Sequence, residues 1–134
     1  MIQIPISIGE LLDKLSILTI KSFKILDKEK ARMVRNELRL LSPLADKYMS
    51  DPKTEDLYTD LLTVNISLWD IEDRIREYEK MQLFDDGFIQ LARRVYQVND
   101  ERFIIKNKIN ELHGAGIQEV KQYVDYYDHG NKKD

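Results

Sequence analysis

The strongest constraint on the fold is a run of seven apolar residues, Leu57, Leu61, Val64, Leu68, Ile71, Ile75 and Tyr78, separated by alternating steps of four and three. An α-helix turns about 100° per residue, so these steps stack the side chains on one face. The run predicts one long amphipathic helix, from about Glu55 to Lys80, that must bury its seam against other helices.

The remaining chain supplies those helices. Ser7 and Glu10 form an S-x-x-E capping box, in which each side chain satisfies a backbone donor of the other, and a helix follows from about Ile8 to Leu26. Asp27 caps a second helix, "KEKARMVRNELRLL", whose Met33, Val34, Leu38 and Leu41 recur at helical spacing. Ser42-Pro43 reads as a fresh start, with serine as cap and proline in the first turn of a short helix, "PLADKYM"; "SDPKT" reads as a loop. The last long helix runs from about Asp86 to His113, closed by Gly114. "IQEVKQYVDYY" predicts a short terminal helix, its Tyr123, Tyr126 and Tyr127 packing across the bundle or a neighbouring subunit. "MIQIPI" predicts a short extended N-terminal arm. The expected fold is all-α: an antiparallel helical bundle of three long helices plus shorter segments. Residues 1–128 form one domain and 129–134 a frayed tail.

Composition narrows the function. A chain of 134 residues is long enough for one core without staples. The absence of cysteine excludes disulfides, thiolate metal sites and cysteine nucleophiles. His113 and His129 leave no two-histidine metal signature outside the tail, and no metal-ligating set is expected. His113 reads as a histidine placed favourably against the dipole of a helix C-terminus. A net charge of -3 gives no long-range attraction for nucleic acid. No stretch approaches the roughly 20 apolar residues that span a bilayer, and the N-terminus carries no secretory signal. A cytoplasmic protein is expected, with no nucleic-acid or membrane partner.

The puzzle lies in charges on faces that should be buried. In the last long helix the face defined by Phe88, Leu91, Ala92 and Val95 continues into Asn99, Arg102, Lys106 and Asn110. Beside the seam of the long central helix run Leu62, Asn65, Trp69, Glu72 and Arg76. The first helix carries Glu10, Asp13, Lys14, Lys21 and Lys24 on one stripe. Burying an unpaired ion costs several kcal/mol, so inward charges need partners. Asp13 is available to Lys14 or Arg102, Glu10 to Lys106, and Glu72 to Arg76 one turn along.

Two explanations fit. One is a polar pocket between the first, central and last long helices. Lys14, Asn65, Arg76, Asn99, Arg102, Lys106 and Asn110 would bind a small anionic metabolite bearing phosphate or carboxylate. Glu72, Asp13 or Glu10 would serve as catalytic acid or base if burial raised its pKa. The other is a non-enzymatic interaction module whose inward charges form a structural ion-pair network. A third possibility, metal-dependent nucleotide pyrophosphohydrolysis, would use the carboxylates Glu10-x-x-Asp13 and Asp70-x-Glu72-Asp73; the E-E-x-x-E run of the all-α enzymes of that kind is absent. No residue set names a reaction or a cofactor. The first helix is apolar over more of its circumference than one core needs, and the last is long for a compact domain. Both features lead to the expectation of a homodimer.

Taken together, "PISIGELLDKLSIL", "LWDIEDRIREYE" and "FIQLARRVYQVNDERFIIKNKINELHG" resemble a family of short bacterial and phage proteins of unknown function, from about Ile4 to Tyr123. The resemblance implies a small intracellular domain and carries no catalytic residue.

Overall fold

The computed structural model describes residues 1–114, 116 and 119–127. Four helices follow in order: α1 (Ile8–Lys24), α2 (Lys28–Met49), α3 (Pro52–Lys80) and α4 (Asp86–Leu112). No strand occurs among the described residues. Each helix begins on a side-chain cap. Ser7 Oγ accepts from the Glu10 N–H (3.2 Å), Asp27 from Lys30 (2.9 Å), Asp51 from Lys53 (2.9 Å) and Asp85 from Phe88 (3.2 Å). These caps satisfy donors that the first helical turn leaves free. Pro52 opens α3 in the first turn, where its missing N–H costs nothing. Gly114 ends α4 in the left-handed region at φ 61°.

Two expectations need correction. Ser42-Pro43 does not restart a helix: α2 runs through it as one 22-residue element. Ser42 and Pro43 are exposed, so the Arg39 carbonyl freed by the proline can turn to water. Leu38, Leu41 and Ala45 meanwhile continue a single seam past it. The bundle therefore has four long helices, not three. Nor is the expected terminal helix present over its described part: residues 119–127 form a non-helical strap. The tail 129–134, with His129, lies outside the described residues.

Short connections fold successive helices back on one another, giving an antiparallel bundle. Two apolar clusters organise much of its core. Leu11, Leu12, Leu15, Ala45, Leu61 and Ile109 bring all four helices together. The second cluster, Leu68, Ile71, Leu91 and Val98 with Val64, Ile75, Tyr78 and Val95 around them, belongs to α3 and α4 alone. At about 1.5 Å per residue, α3 (29 residues) spans about 44 Å and α1 (17 residues) about 26 Å. The Lys24–Asp70 ion pair (3.4 Å) marks where α1 ends against α3. Beyond it the α3–α4 pair projects as a two-helix tip. None of the helices among the described residues is long and apolar enough to cross a membrane.

Candidate functional site

Between the two apolar clusters lies a polar layer. On α3, Asn65 falls between Leu61 and Leu68; on α4, Arg102 and Lys106 fall between Val98 and Ile109. α1 completes the layer with Glu10, Asp13 and Ser16.

Asp13 is its centre, with a side chain 5% exposed. Arg102 donates to both carboxylate oxygens, Nε to Oδ1 at 2.9 Å and Nη2 to Oδ2. This two-pronged grip matches the planar guanidinium to the carboxylate. Asn65 Nδ2 donates to the same Oδ1 (2.9 Å) and to Ser16 Oγ (2.7 Å), while Ser16 Oγ donates to the Asp13 backbone carbonyl (2.7 Å). The hydrogen bond to Asp13 raises the Arg102 pKa, outweighing a burial effect of opposite sign.

Lys106 is the second node, with a side chain 7% exposed. Its Nζ lies 2.6 Å from Glu10 Oε1, 2.7 Å from Glu119 Oε2 and 4.0 Å from Asp13 Oδ2. Burial alone would lower this ammonium. The close carboxylates of Glu10 and Glu119 and the field of Asp13 prevail, so its pKa is raised. Burial likewise works against the Glu119 carboxylate, but Lys106 and Lys121 hold its pKa below the ordinary value.

Asn110, almost wholly buried, has a different task. Its Oδ1 accepts the Gly9 N–H at 2.7 Å, so α4 caps the first turn of α1 from across the bundle. Gly9 is required there: a Cβ would stand 2.6 Å from the Lys106 backbone carbonyl.

The other residues singled out in the sequence lie elsewhere. Lys14 is exposed and pairs with Glu37 of α2 at 2.9 Å. Glu72 and Arg76 are exposed on the two-helix tip, and the Arg76 ion pair is with Asp73 (3.7 Å), not Glu72. Asn99 is half-buried one turn before Arg102 and, among the described residues, joins none of these hydrogen bonds. Asp70 is taken by Lys24. Among the described residues no three of His, Asp and Glu gather as a metal site. His113 accepts or donates at Nε2 with the buried Thr54 hydroxyl (2.7 Å) and meets Tyr48 edge-on, tying the end of α4 to the α2–α3 turn.

Residues 2–128 match the model of a family of unknown function, DUF6165. The chain belongs to that family. No curated protein and no solved structure matches it. The DUF6165 span takes in every residue of the polar layer, from Gly9 and Glu10 through Glu119 and Lys121.

Three participants escape a reading of helix faces. Ser16 hides among leucines as a small polar residue. Gly9 carries no side chain, and only the close approach of α4 gives it a role. Glu119 comes from a segment whose path no helical periodicity specifies.

Two concave surfaces lie away from the layer. A groove of about 530 Å³ is lined by Ile6, Ile8 and Leu11 on one side and Pro43, Leu44 and Tyr48 on the other. A second, of about 490 Å³, lies between the start of α3 and the end of α4.

Proposed function

We propose that this chain is a non-enzymatic helical interaction module, cytoplasmic and homodimeric, whose inward charges form a structural network. The saturation of Asp13 carries the proposal. Both its oxygens are engaged by Arg102, one is shared with Asn65, and the adjoining Lys106 is held by Glu10 and Glu119. A ligand pocket needs free donors in a concave space. Here the cations expected to meet an anion already hold carboxylates from the same chain. A polar layer between two apolar clusters has another use. Its pairs close only when α1, α3 and α4 are in one register, because any slip strands a buried ion.

Exposed apolar side chains include the arm at Ile2 and Ile4, the outer face of α2 at Met33, Leu40 and Leu44, and the tip at Leu83, Phe84 and Ile89. Exposed apolar surface of this kind is what interaction modules present to partners.

The test compares two variants. Arg102→Met leaves Asp13 buried without its main partner and should cost about 3–5 kcal/mol in denaturant unfolding. Asp13→Leu together with Arg102→Met should recover most of that loss, since apolar replacement of a buried pair is often neutral. In parallel, the midpoint of thermal unfolding should stay flat against nucleotides, sugar phosphates and di- and tricarboxylates. A compound at about a hundred times its Kd adds about 2.7 kcal/mol. Such a rise in the native chain, lost in Arg102→Met, would overturn the module and restore an anionic-metabolite site.

A further inference from the structure

The C-terminal strap is built inside out. Glu119, Lys121 and Tyr126 lie against α4, while Val120 and Val124 are each 87% exposed and Tyr123 and Tyr127 are exposed beside them. Its anchors run back along α4 in order. Glu119 reaches Lys106 (2.7 Å), the Lys121 ammonium stands 5.3 Å from the Phe103 ring centre, and Tyr126 donates its hydroxyl to Asp100 and meets Tyr96 edge-on (4.9 Å between centroids). Lys106, Phe103, Asp100 and Tyr96 are spaced three, three and four residues apart, so they form one stripe of the helix.

Resting on the interaction-module reading above, we propose that this stripe is a docking surface for an extended segment of a partner protein, and that the strap occupies it in cis. The strap states the chemistry such a segment needs. A carboxylate meets the buried Lys106, with Arg102 one turn away, and a phenol seven residues later meets the Asp100 acceptor and the Tyr96 ring. The two ends are complementary in different ways: cation to carboxylate at Lys106, carboxylate acceptor to neutral hydroxyl donor at Asp100.

Displacement is built into the way the strap is held. Its side-chain anchors to α4 are one ion pair, one hydroxyl and ring contacts, and its valines bury almost nothing. Segments with so little apolar burial sit at the low end of local stability. Gly114, at φ 61°, turns the chain back at the end of α4, and Gly116 lies exposed just beyond it. A strap on so short a tether acts at an effective concentration of order millimolar. An incoming segment must outcompete it, so occupancy in cis sets the threshold for binding in trans.

The experiment uses the full chain and a fluorescently labelled synthetic peptide of residues 116–127, with binding read by anisotropy. The host Glu119→Gln/Tyr126→Phe, its fold verified by circular dichroism, should bind the peptide at least about tenfold more tightly than the native chain, because the competing strap is weakened. The milder host Tyr126→Phe should fall between them. A peptide carrying the same two substitutions should lose binding to every host. Equal affinity for native and weakened hosts, or no binding to the weakened host, overturns the proposal and leaves the module reading intact. Succinate is the control for a small anion. If it displaces the peptide as well as unlabelled peptide does, the position recognises a free carboxylate and the segment proposal falls.

Discussion

Gly9 shows how far a single residue can depart from its intrinsic preference. In an exposed helix, Gly→Ala stabilises by up to about 1 kcal/mol. At Gly9 the added methyl meets the Lys106 carbonyl at 2.6 Å, a backbone atom that cannot swing aside. Gly9→Ala should therefore destabilise by about 1–3 kcal/mol in denaturant unfolding, the usual cost of overpacking. Asn110→Ala should cost about the same for another reason, since it leaves the Gly9 N–H buried and unpaired. The strap makes a prediction in pH. Glu119 titrates below its ordinary value when docked, so docking is favoured above about pH 4.3 and is lost as pH falls through the lowered value. Lys106 is raised, so its share is complete below about pH 10.4 and fades only above that. Tyr126 and Tyr96 ring resonances should hold one position from pH 6 to 9 and move together in acid. Movement confined to pH 6–8 would assign control of the strap to another group. Much of this chemistry was legible beforehand. Glu10 with Lys106 follows from opposite charges on facing stripes; the same stripes offer Asp13 either Lys14 or Arg102, and packing gives it Arg102 while Lys14 turns to Glu37. Gly9 and Ser16 did not announce themselves, because their importance comes from how closely α4 and α3 approach.

At the scale of elements, α2 and α3 each teach something about cover. Ser42-Pro43 carries every local mark of a helix start, yet the seam of Leu38, Leu41 and Ala45 runs past it unbroken. Tertiary packing has outweighed a local signal there, at the cost of one backbone hydrogen bond. Pro43→Ala should return the missing N–H to the Arg39 carbonyl and raise stability by about 1–3 kcal/mol, less than the full penalty of an interior proline because proline also restricts the unfolded chain. Unchanged or lower stability would mean that Pro43 makes a contact worth more than that bond. On α3 the spacing places the face but not what surrounds it. Asn65 and Glu72 are seven residues apart and share a face. Asn65 is buried because α1 lies over it; Glu72 and Arg76 are exposed because α1 ends near Asp70. Helical periodicity says where a side chain points along its own helix. It does not say how far the neighbouring helix extends.

For the whole molecule, the inequality of helix lengths has a consequence. The four-helix half buries Leu12, Ile20, Leu61 and Ile109 almost completely. The tip is held by one helix–helix interface, and it leaves Met81, Leu83, Phe84 and Ile89 exposed around the α3–α4 turn. Two helices alone bury too little apolar surface to be as stable as four, so the tip should open locally before the rest unfolds. Covering it with the tip of a second copy would relieve that weakness, and a two-fold axis lets the same apolar patch serve both partners. The homodimer proposed above thus acquires a location. Sedimentation equilibrium should show concentration-dependent association of the native chain, and Phe84→Asp should abolish it without altering unfolding of the four-helix half. Amide exchange in residues 74–92 should slow as concentration rises, while exchange in α1 stays constant. If protection at the tip is the same at every concentration and Phe84→Asp leaves the mass unchanged, the tip is not the self-association surface. The outer face of α2, with Met33, Leu40 and Leu44 exposed on one stripe, then becomes the place to substitute next.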